Sequence, residues 1–99
     1  MDLECRFHGL RFEWDRDKAA TNLAKHHVSF ETACEAFLDP FVRLMDEEIV
    51  GEEIRDTLIG MTEQWQMLCV VYTVRIGDHY RLISARPATA AERRAYEQP

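Results

Sequence analysis

The clearest pattern of apolar and polar positions lies in the C-terminal third of this 99-residue chain. An apolar run from Leu68 to Val74 and a mixed run from His79 to Ala85 flank the dipeptide Gly77-Asp78. Two such runs on either side of a turn dipeptide are typical of a β-hairpin. If the turn has two residues, the predicted pairs are Val74 with Arg81, Tyr72 with Ile83, and Val70 with Ala85.

This pairing places Arg81, Ile83 and Ala85 on the hairpin face that is the better candidate for packing against helices. Side chains alternate between the two faces of a strand, so a change of one residue in the turn would exchange the faces of the final strand. The predicted direction of Arg81 therefore depends on the length of the turn.

Residues that favour helix ends predict three helices. Asp15 is a good N-cap for a helix over the next twelve residues, and Ser29 caps a second helix. The second helix ends at Asp39-Pro40, because proline disfavours helical geometry at the residue before it. Thr89 and Glu92 have the T-x-x-E spacing of a capping box, which indicates a short C-terminal helix.

The remaining apolar segments are interpreted as strands, which gives the element order β-α-α-β-β-β-β-α. The expected fold is α+β: a small antiparallel β-sheet with an N-terminal helical hairpin packed on one face and a short C-terminal helix. We expect a single domain over residues 1–99, in which residues 1–10 form a poorly defined lead-in because they show no clear periodicity. Besides the hairpin strand 79–85, the predicted strands are 11–14, 41–45, 53–61 and 65–76.

Composition excludes several classes of protein. With 46% hydrophobic and 30% charged residues, the chain resembles an ordinary globular protein. No apolar run approaches the roughly 18 residues of a membrane span, and the first residues lack the features of a secretory signal, so we expect a cytoplasmic protein. Three cysteines without C-x-x-C spacing indicate neither a disulfide framework nor a zinc ribbon. Phosphate-loop, dinucleotide and zinc-protease motifs are also missing from the sequence, and we expect no metal and no cofactor.

The net charge of −6 argues, taken as a whole, against binding to nucleic acid. The acidity is concentrated in residues 46–63, where Arg55 is the one basic residue, whereas five of the ten arginines lie between Arg75 and Arg94. The planar fork of arginine suits bidentate contacts with phosphate. The basic end of the chain is therefore a candidate for contact with a polyanion, and the alternative is an arginine-rich surface that serves only solubility.

The first predicted helix carries a polar stripe formed by Lys18, Asn22, Lys25 and His26. Their spacing places them on one side of the helix. One interpretation is a solvated helix face. The other is that Lys25 and His26 contact a phosphate or serve proton transfer, and spacing alone leaves both open.

Three stretches together resemble the BrnT-type toxins of bacterial type II toxin–antitoxin systems. FEWDRDKAATNLAKHHVSFETACEAFLDP (residues 12–40) resembles the opening motif of that family, GEE (51–53) a central one, and VVYTVR…YRLISARPATAAERRAYE (70–97) the closing one. Together they cover most of residues 11–97 in the right order. Two positions depart from the pattern: Ile54 separates Arg55 from GEE, and Pro87 stands where lysine is common.

The resemblance implies a RelE-like fold and a ribonuclease that inhibits translation. We hypothesise that it acts on single-stranded or ribosome-associated RNA. It also implies neutralisation by a BrnA-type antitoxin with a ribbon-helix-helix portion, so that the toxin meets DNA only through its antitoxin. RNA can be cleaved without metal when its own 2′-hydroxyl attacks the adjacent phosphorus. The protein then has to supply a base, an acid and fixed cations.

Residue types select the candidates for this chemistry. Arg86 and Arg81 would bind phosphate and stabilise the transition state, His26 would exchange protons, and Lys25 beside it would supply charge. Tyr96 would donate from its hydroxyl or stack on an unpaired base. The catalytic candidates are thus Arg86, His26, Lys25, Arg81 and Tyr96, and the candidates for RNA or phosphate binding are Arg93, Trp14, Tyr72 and Arg55.

Four alternatives remain open. Glu92 is a possible base, although capping already explains it, and Arg81 is equally a structural partner for an acid under the helices. The whole chain is alternatively a non-catalytic or weakly active module that binds the antitoxin and modulates repression of its own operon. The acidic segment 46–63 and the missing cations at positions 54 and 87 favour this module. A DNA-binding domain is the weakest alternative, because no predicted helix has a basic recognition face.

Overall fold

The computed structural model describes residues 1–98, which contain seven strands and three helices. In chain order they are β1 (Asp2–Phe7), β2 (Leu10–Asp15), α1 (Arg16–His26), α2 (Phe30–Ala36), β3 (Arg43–Leu44), β4 (Glu48–Val50), β5 (Glu53–Met61), β6 (Met67–Arg75), β7 (His79–Pro87) and α3 (Ala90–Glu97). The predicted α+β class is confirmed, with β1 and β4 as strands that the sequence analysis did not predict. None of the helices within residues 1–98 is long and apolar enough to cross a membrane.

The strands form one mixed sheet in the order β1-β2-β7-β6-β5-β3, and β4 pairs with β5 beside this path. β2 and β7 run parallel, with Phe12 opposite Tyr80 and Glu13 opposite Arg81, and the other strand pairs are antiparallel. The prediction of an antiparallel sheet is therefore wrong at this junction. Two antiparallel units, the hairpin β1–β2 and the meander β5–β6–β7, meet there, and their relative direction depends on how the whole chain packs.

The first residues form a regular hairpin strand rather than a lead-in. β1 pairs antiparallel with β2 from Asp2–Asp15 to Phe7–Leu10, around a turn in which His8 and Gly9 have φ values of 49° and 83°. Such left-handed pairs are typical of two-residue hairpin turns. The prediction of a poorly defined lead-in is wrong for residues 2–7, where half-buried and exposed side chains alternate strictly.

Apolar side chains cover both faces of the sheet. α1 packs on β2 and β7, and α2 packs on β5, β6 and β7. The opposite face carries a smaller cluster, in which Tyr96 of α3 packs near Ile59, Met67 and Cys69. The larger cluster, on the face covered by α1 and α2, is the main core. Its large buried side chains include Phe12, Phe30, Leu58, Leu68, Val70 and Leu82.

A RelE-like arrangement with a helical hairpin stays a prediction.

The register of the β6–β7 hairpin differs in part from the prediction. Val70 pairs with Ala85 as expected, but an irregularity between Val71 and Tyr72 shifts the pairing beyond it, so that Tyr72 lies opposite Leu82. The loop has three residues, because Arg75 pairs with His79. The predicted pairs Val74–Arg81 and Tyr72–Ile83 are therefore wrong. The observed pairs nearest the loop are Tyr72–Leu82, Thr73–Arg81, Val74–Tyr80 and Arg75–His79.

Candidate active site

Lys25 and His26 lie together on an open cavity of about 330 Å³ between α1 and β7. Both residues belong to the last turn of α1, and Ile83 and Ser84 of β7 form the opposite wall. Lys18, two turns earlier in α1, adds a second ammonium group to the lining. The polar stripe predicted for this helix therefore borders a cavity. The full lining comprises Asp17, Lys18, Thr21, Asn22, Lys25, His26, Ile83 and Ser84.

Asn22 holds α1 against β7 and thereby positions this cavity. Its side-chain nitrogen donates to the carbonyls of Ala85 (2.8 Å) and Val28 (3.0 Å), and its side-chain oxygen accepts from the Ala85 amide at 3.1 Å. The residue is only 6% exposed, so these bonds satisfy a polar group that would otherwise be costly to bury. Beyond Arg81, β7 no longer pairs with β2, and the Asn22 amide bonds the Ala85 backbone as a neighbouring strand would.

Arg86 lies further along β7 and is held by Glu92 of α3. Its two terminal nitrogens bond the two carboxylate oxygens at 2.7 and 2.9 Å, and one of them also reaches the Pro87 carbonyl at 3.3 Å. Glu92 also accepts from the Thr89 amide (2.9 Å), and the Thr89 hydroxyl accepts from the Glu92 amide. The predicted capping box is therefore confirmed.

The ion pair with Arg86 stabilises the ionised form of Glu92. Hydrogen bonding from Arg86 is the main cause that lowers the pKa of Glu92 from its ordinary value of 4.5 to about 2. A carboxylate with so low a pKa is a weak base at neutral pH. The geometry therefore makes Glu92 the residue that positions Arg86, and three of the five N–H donors of Arg86 are occupied by partners within residues 1–98.

Arg81 belongs to a separate cluster at the parallel β2–β7 junction. It bonds Glu13, its cross-strand neighbour, and both carboxylate oxygens of Asp2 at 3.0 and 3.2 Å. The imidazole Nε2 of His79 bonds the other oxygen of Glu13. Burial would raise the pKa of Glu13, but the hydrogen bonds from Arg81 and His79 outweigh it and lower the pKa. Arg81 is thus paired with acidic residues, as expected if it is a structural partner and not a catalytic residue. These pairs lie, however, on the sheet face away from the main core.

The sequence analysis did not single out Asp2, Glu13 or His79. Asp2 and Glu13 belong to the two N-terminal strands, and the strict alternation of half-buried and exposed positions in β1 was the signal that could have revealed the hairpin carrying them. The Nδ1 atom of His79 is buried and has no hydrogen-bond partner within residues 1–98.

The aromatic candidates occupy other places. Trp14 is 2% and Tyr72 is 7% exposed, and their rings contact Phe30 and Phe37 inside the main core. The structure therefore leaves neither ring a free face for stacking on a base. Tyr96 donates its hydroxyl to Asp39 at 2.6 Å, and burial followed by this bond raises the pKa of Tyr96 to about 12.

The two remaining phosphate-binding candidates, Arg93 and Arg55, differ in whether an acidic residue pairs with them. Arg93 of α3 is exposed, and its side chain has no hydrogen bond or ion pair with residues 1–98. Arg55 of β5 bonds Glu53 at 2.9 Å and does not belong to the lining of the cavity that holds Lys25 and His26. Of the nine predicted residues, Lys25 and His26 are thus the two that share the cavity beside Ser84.

Comparisons with known proteins agree with this fold. A family model described as the ribonuclease toxin BrnT of type II toxin–antitoxin systems matches residues 14–92. The crystal structure of the Brucella abortus ribonuclease toxin BrnT is similar, with a TM-score of 0.52 and 23% identity over 77% of this chain and 92% of that one. The comparison with curated proteins gives no match. Since the family model covers more than half of its residues, this chain belongs to the BrnT family of type II toxin–antitoxin ribonuclease toxins.

Proposed function

We propose that this protein is an endoribonuclease toxin whose reaction centre is the cavity that holds Lys25 and His26. The observation that carries the proposal is the meeting of an imidazole and two ammonium groups, those of Lys25 and Lys18, on one open cavity. Histidine is the side chain best suited to exchange protons near neutral pH. The lysines would stabilise the negative charge that develops on the phosphate.

The proposed reaction uses the 2′-hydroxyl of RNA as the nucleophile and requires no metal ion. The hydroxyl oxygen forms a bond to the adjacent phosphorus as it loses its proton, and the bond from phosphorus to the 5′-oxygen breaks as that oxygen gains a proton. His26 would take part in this proton exchange, while Lys25 and Lys18 hold the phosphate. The products are a 2′,3′-cyclic phosphate and a free 5′-hydroxyl.

Arg86 would bind RNA from a position two residues beyond Ser84, a residue of the cavity wall. Glu92 fixes the orientation of its guanidinium, which lowers the entropy lost when a phosphate is bound, and two N–H donors remain for that contact. Arg93, exposed one turn into α3, would add a second phosphate contact.

In the cell, this activity would inhibit translation, and a BrnA-type antitoxin with a ribbon-helix-helix portion would neutralise it. The support for an antitoxin partner is membership of a type II toxin–antitoxin family. Contact with DNA would then occur through the antitoxin.

The test uses purified protein freed of antitoxin and an unstructured RNA in EDTA. We expect the wild type to cleave, His26→Ala to lose 10²–10⁴-fold in rate, and Lys25→Ala and Arg86→Ala to lose about tenfold or more. Arg16→Ala and His8→Asn, which alter residues outside the cavity lining, serve as matched controls. Equal cleavage by His26→Ala and wild type would exclude this reaction centre, and no cleavage by wild type would exclude the enzyme.

A second candidate function is a non-catalytic module that binds the antitoxin. The observation that favours it is the pairing of Arg55, Arg81 and Arg86 with carboxylates, which neutralises three of the cations predicted for catalysis or RNA binding. Expression without antitoxin separates the two functions. The enzyme arrests growth and the His26→Ala variant does not, whereas the module leaves growth unchanged in both cases.

A further inference from the structure

A second cavity, of about 370 Å³, lies away from the proposed reaction centre, where the α2–β3 connection, the β5–β6 turn and α3 meet. Two large aromatic side chains stand at its edge almost free of contacts: Trp65 is 84% and Phe41 is 76% exposed. Exposed aromatic side chains beside a formed cavity are typical of protein-binding sites. Its apolar lining consists of Leu38, Pro40, Phe41, Met61, Trp65 and Tyr96.

The Asp39 carboxylate holds the walls of this cavity in place. It accepts hydrogen bonds from the Phe41 amide (2.9 Å), the Met61 amide (2.8 Å) and the Tyr96 hydroxyl (2.6 Å). These donors belong to the α2–β3 connection, to β5 and to α3. The cavity is therefore formed before any partner binds, which lowers the entropic cost of binding.

The β5–β6 turn presents Trp65 in an unfavourable backbone conformation. The turn is closed by Thr62, whose carbonyl accepts from the Trp65 amide at 3.0 Å and whose hydroxyl accepts from the Gln66 amide at 3.1 Å. Trp65 has a φ of 62°, the left-handed region that hairpin loops of this kind usually fill with glycine. A bulky side chain at such a position is strained, and the exposed indole adds little to the core that would offset the strain.

The charges around the cavity distinguish between possible partners. Three carboxylates, those of Glu35, Asp39 and Glu63, belong to the lining, and among residues 1–98 no lysine or arginine contributes to it. Such a surface repels the phosphates of RNA and attracts a basic polypeptide. Its apolar walls provide room for one large apolar side chain.

From these observations we infer that this cavity binds a segment of the antitoxin in which a large apolar side chain is flanked by lysine or arginine. The inference rests on the proposed function in so far as the partner is an antitoxin, but it does not depend on ribonuclease activity. The apolar side chain would insert between Trp65 and Phe41, and its basic neighbours would face Glu35 and Glu63.

The test measures the affinity of the purified protein for the antitoxin encoded beside it, by calorimetry. Trp65→Gly and Trp65→Asn should weaken binding on the order of 30-fold or more, as expected for the loss of an aromatic hot spot. Both should unfold at the same or a higher temperature than wild type, because glycine and asparagine suit the left-handed backbone. Phe41→Ala should also weaken binding, and Ile76→Ala, which alters a fully exposed residue of the β6–β7 loop, should not.

Charge reversal tests the basic character of the partner. Glu63→Lys should weaken binding most at low salt, because screening reduces the effect of an exposed charge. Wild-type affinity in Trp65→Gly, or failure of the wild type to bind the antitoxin, would overturn the inference. Loss of RNA cleavage with unchanged antitoxin affinity would also overturn it, in favour of an RNA site. Antitoxin binding that depends on Trp65 in a protein without ribonuclease activity would remove the proposed function alone.

Discussion

At the scale of single residues, Glu92 connects the stability of α3 to the position of Arg86. Its carboxylate completes the capping box with Thr89 and at the same time accepts two bonds from Arg86 of β7. The capping box was predictable, since its two residues are three positions apart in a local motif. The bond to Arg86 was not, because it depends on how α3 folds back onto the sheet.

The pKa of Glu92 predicts how the stability of the protein depends on pH. A carboxyl group whose pKa is about 2 in the folded state and near 4.5 when unfolded stabilises the fold above pH 4.5, and this contribution is lost as the pH falls toward 2. Glu92→Gln should therefore lower the free energy of unfolding at pH 7 by about 1–2 kcal/mol, a value that allows for solvent screening. The difference from wild type should vanish near pH 2.

Urea denaturation at a series of pH values measures this dependence. Glu97→Gln is the control, since Glu97 is an exposed residue of the same helix. A constant difference between Glu92→Gln and wild type from pH 7 down to pH 2 would contradict the assigned ion pair.

At the scale of elements, α2 and β5 approach each other closely at Gly60. A Cβ atom at Gly60 would lie 2.4 Å from the carbonyl oxygen of Ala36 and 2.9 Å from its Cβ. Glycine is needed here for space, because the backbones of the two elements touch. This contact keeps the end of α2 on β5, next to the connection that carries Asp39.

Gly60→Ala should therefore displace the end of α2 and lower the free energy of unfolding by about 2–3 kcal/mol. Adding Ala36→Gly should restore only part of this loss, since it removes the Cβ contact and leaves the shorter one with the carbonyl oxygen. Urea denaturation of the single and double variants measures both effects. Full recovery in the double variant would show that the helix backbone does not approach β5 so closely.

Element positions were predictable where the signal is local. Ser29 and Asp15 begin the two helices expected from them, and each side chain accepts a hydrogen bond from the third residue that follows. The irregularity between Val71 and Tyr72 was not predictable, because no glycine or proline marks it. The loop has one residue more than predicted, which moves Arg81 to the other face of the sheet. The irregularity between Val71 and Tyr72 compensates for this residue, so that Ala85 lies on the expected face.

At the scale of the whole molecule, the parallel β2–β7 junction unites the N-terminal hairpin with the C-terminal meander. β1 covers the outer side of this junction, where Leu3, Cys5 and Phe7 pack against the main core and Asp2 bonds Arg81. The N-terminal hairpin is thus part of the same sheet and core as the proposed reaction centre.

The double substitution Leu3→Ala and Phe7→Ala should accordingly lower the free energy of global unfolding by about 2–4 kcal/mol, since half-buried side chains contribute less than fully buried ones. Unfolding should remain a single cooperative transition. Thermal unfolding followed by circular dichroism and by tryptophan fluorescence checks this, with Asp2→Asn as a control expected within about 0.5–1 kcal/mol of wild type. Separate transitions for the two signals would show that the N-terminal hairpin, in which Trp14 lies opposite Leu3, unfolds independently of the rest.

The sequence by itself determined the features that depend on neighbouring residues: the helix caps, the apolar strands, the polar stripe of α1 and the motifs that identify the BrnT family. Tertiary structure decided the rest, because it depends on residues far apart in the chain. Asn22 and Ala85, separated by 63 positions, create the cavity of Lys25 and His26, and no local pattern encodes their contact. The same holds for Arg81, whose face was set by the loop and its partners Glu13 and Asp2, and for Trp14 and Tyr72, whose burial removed them from the candidate site.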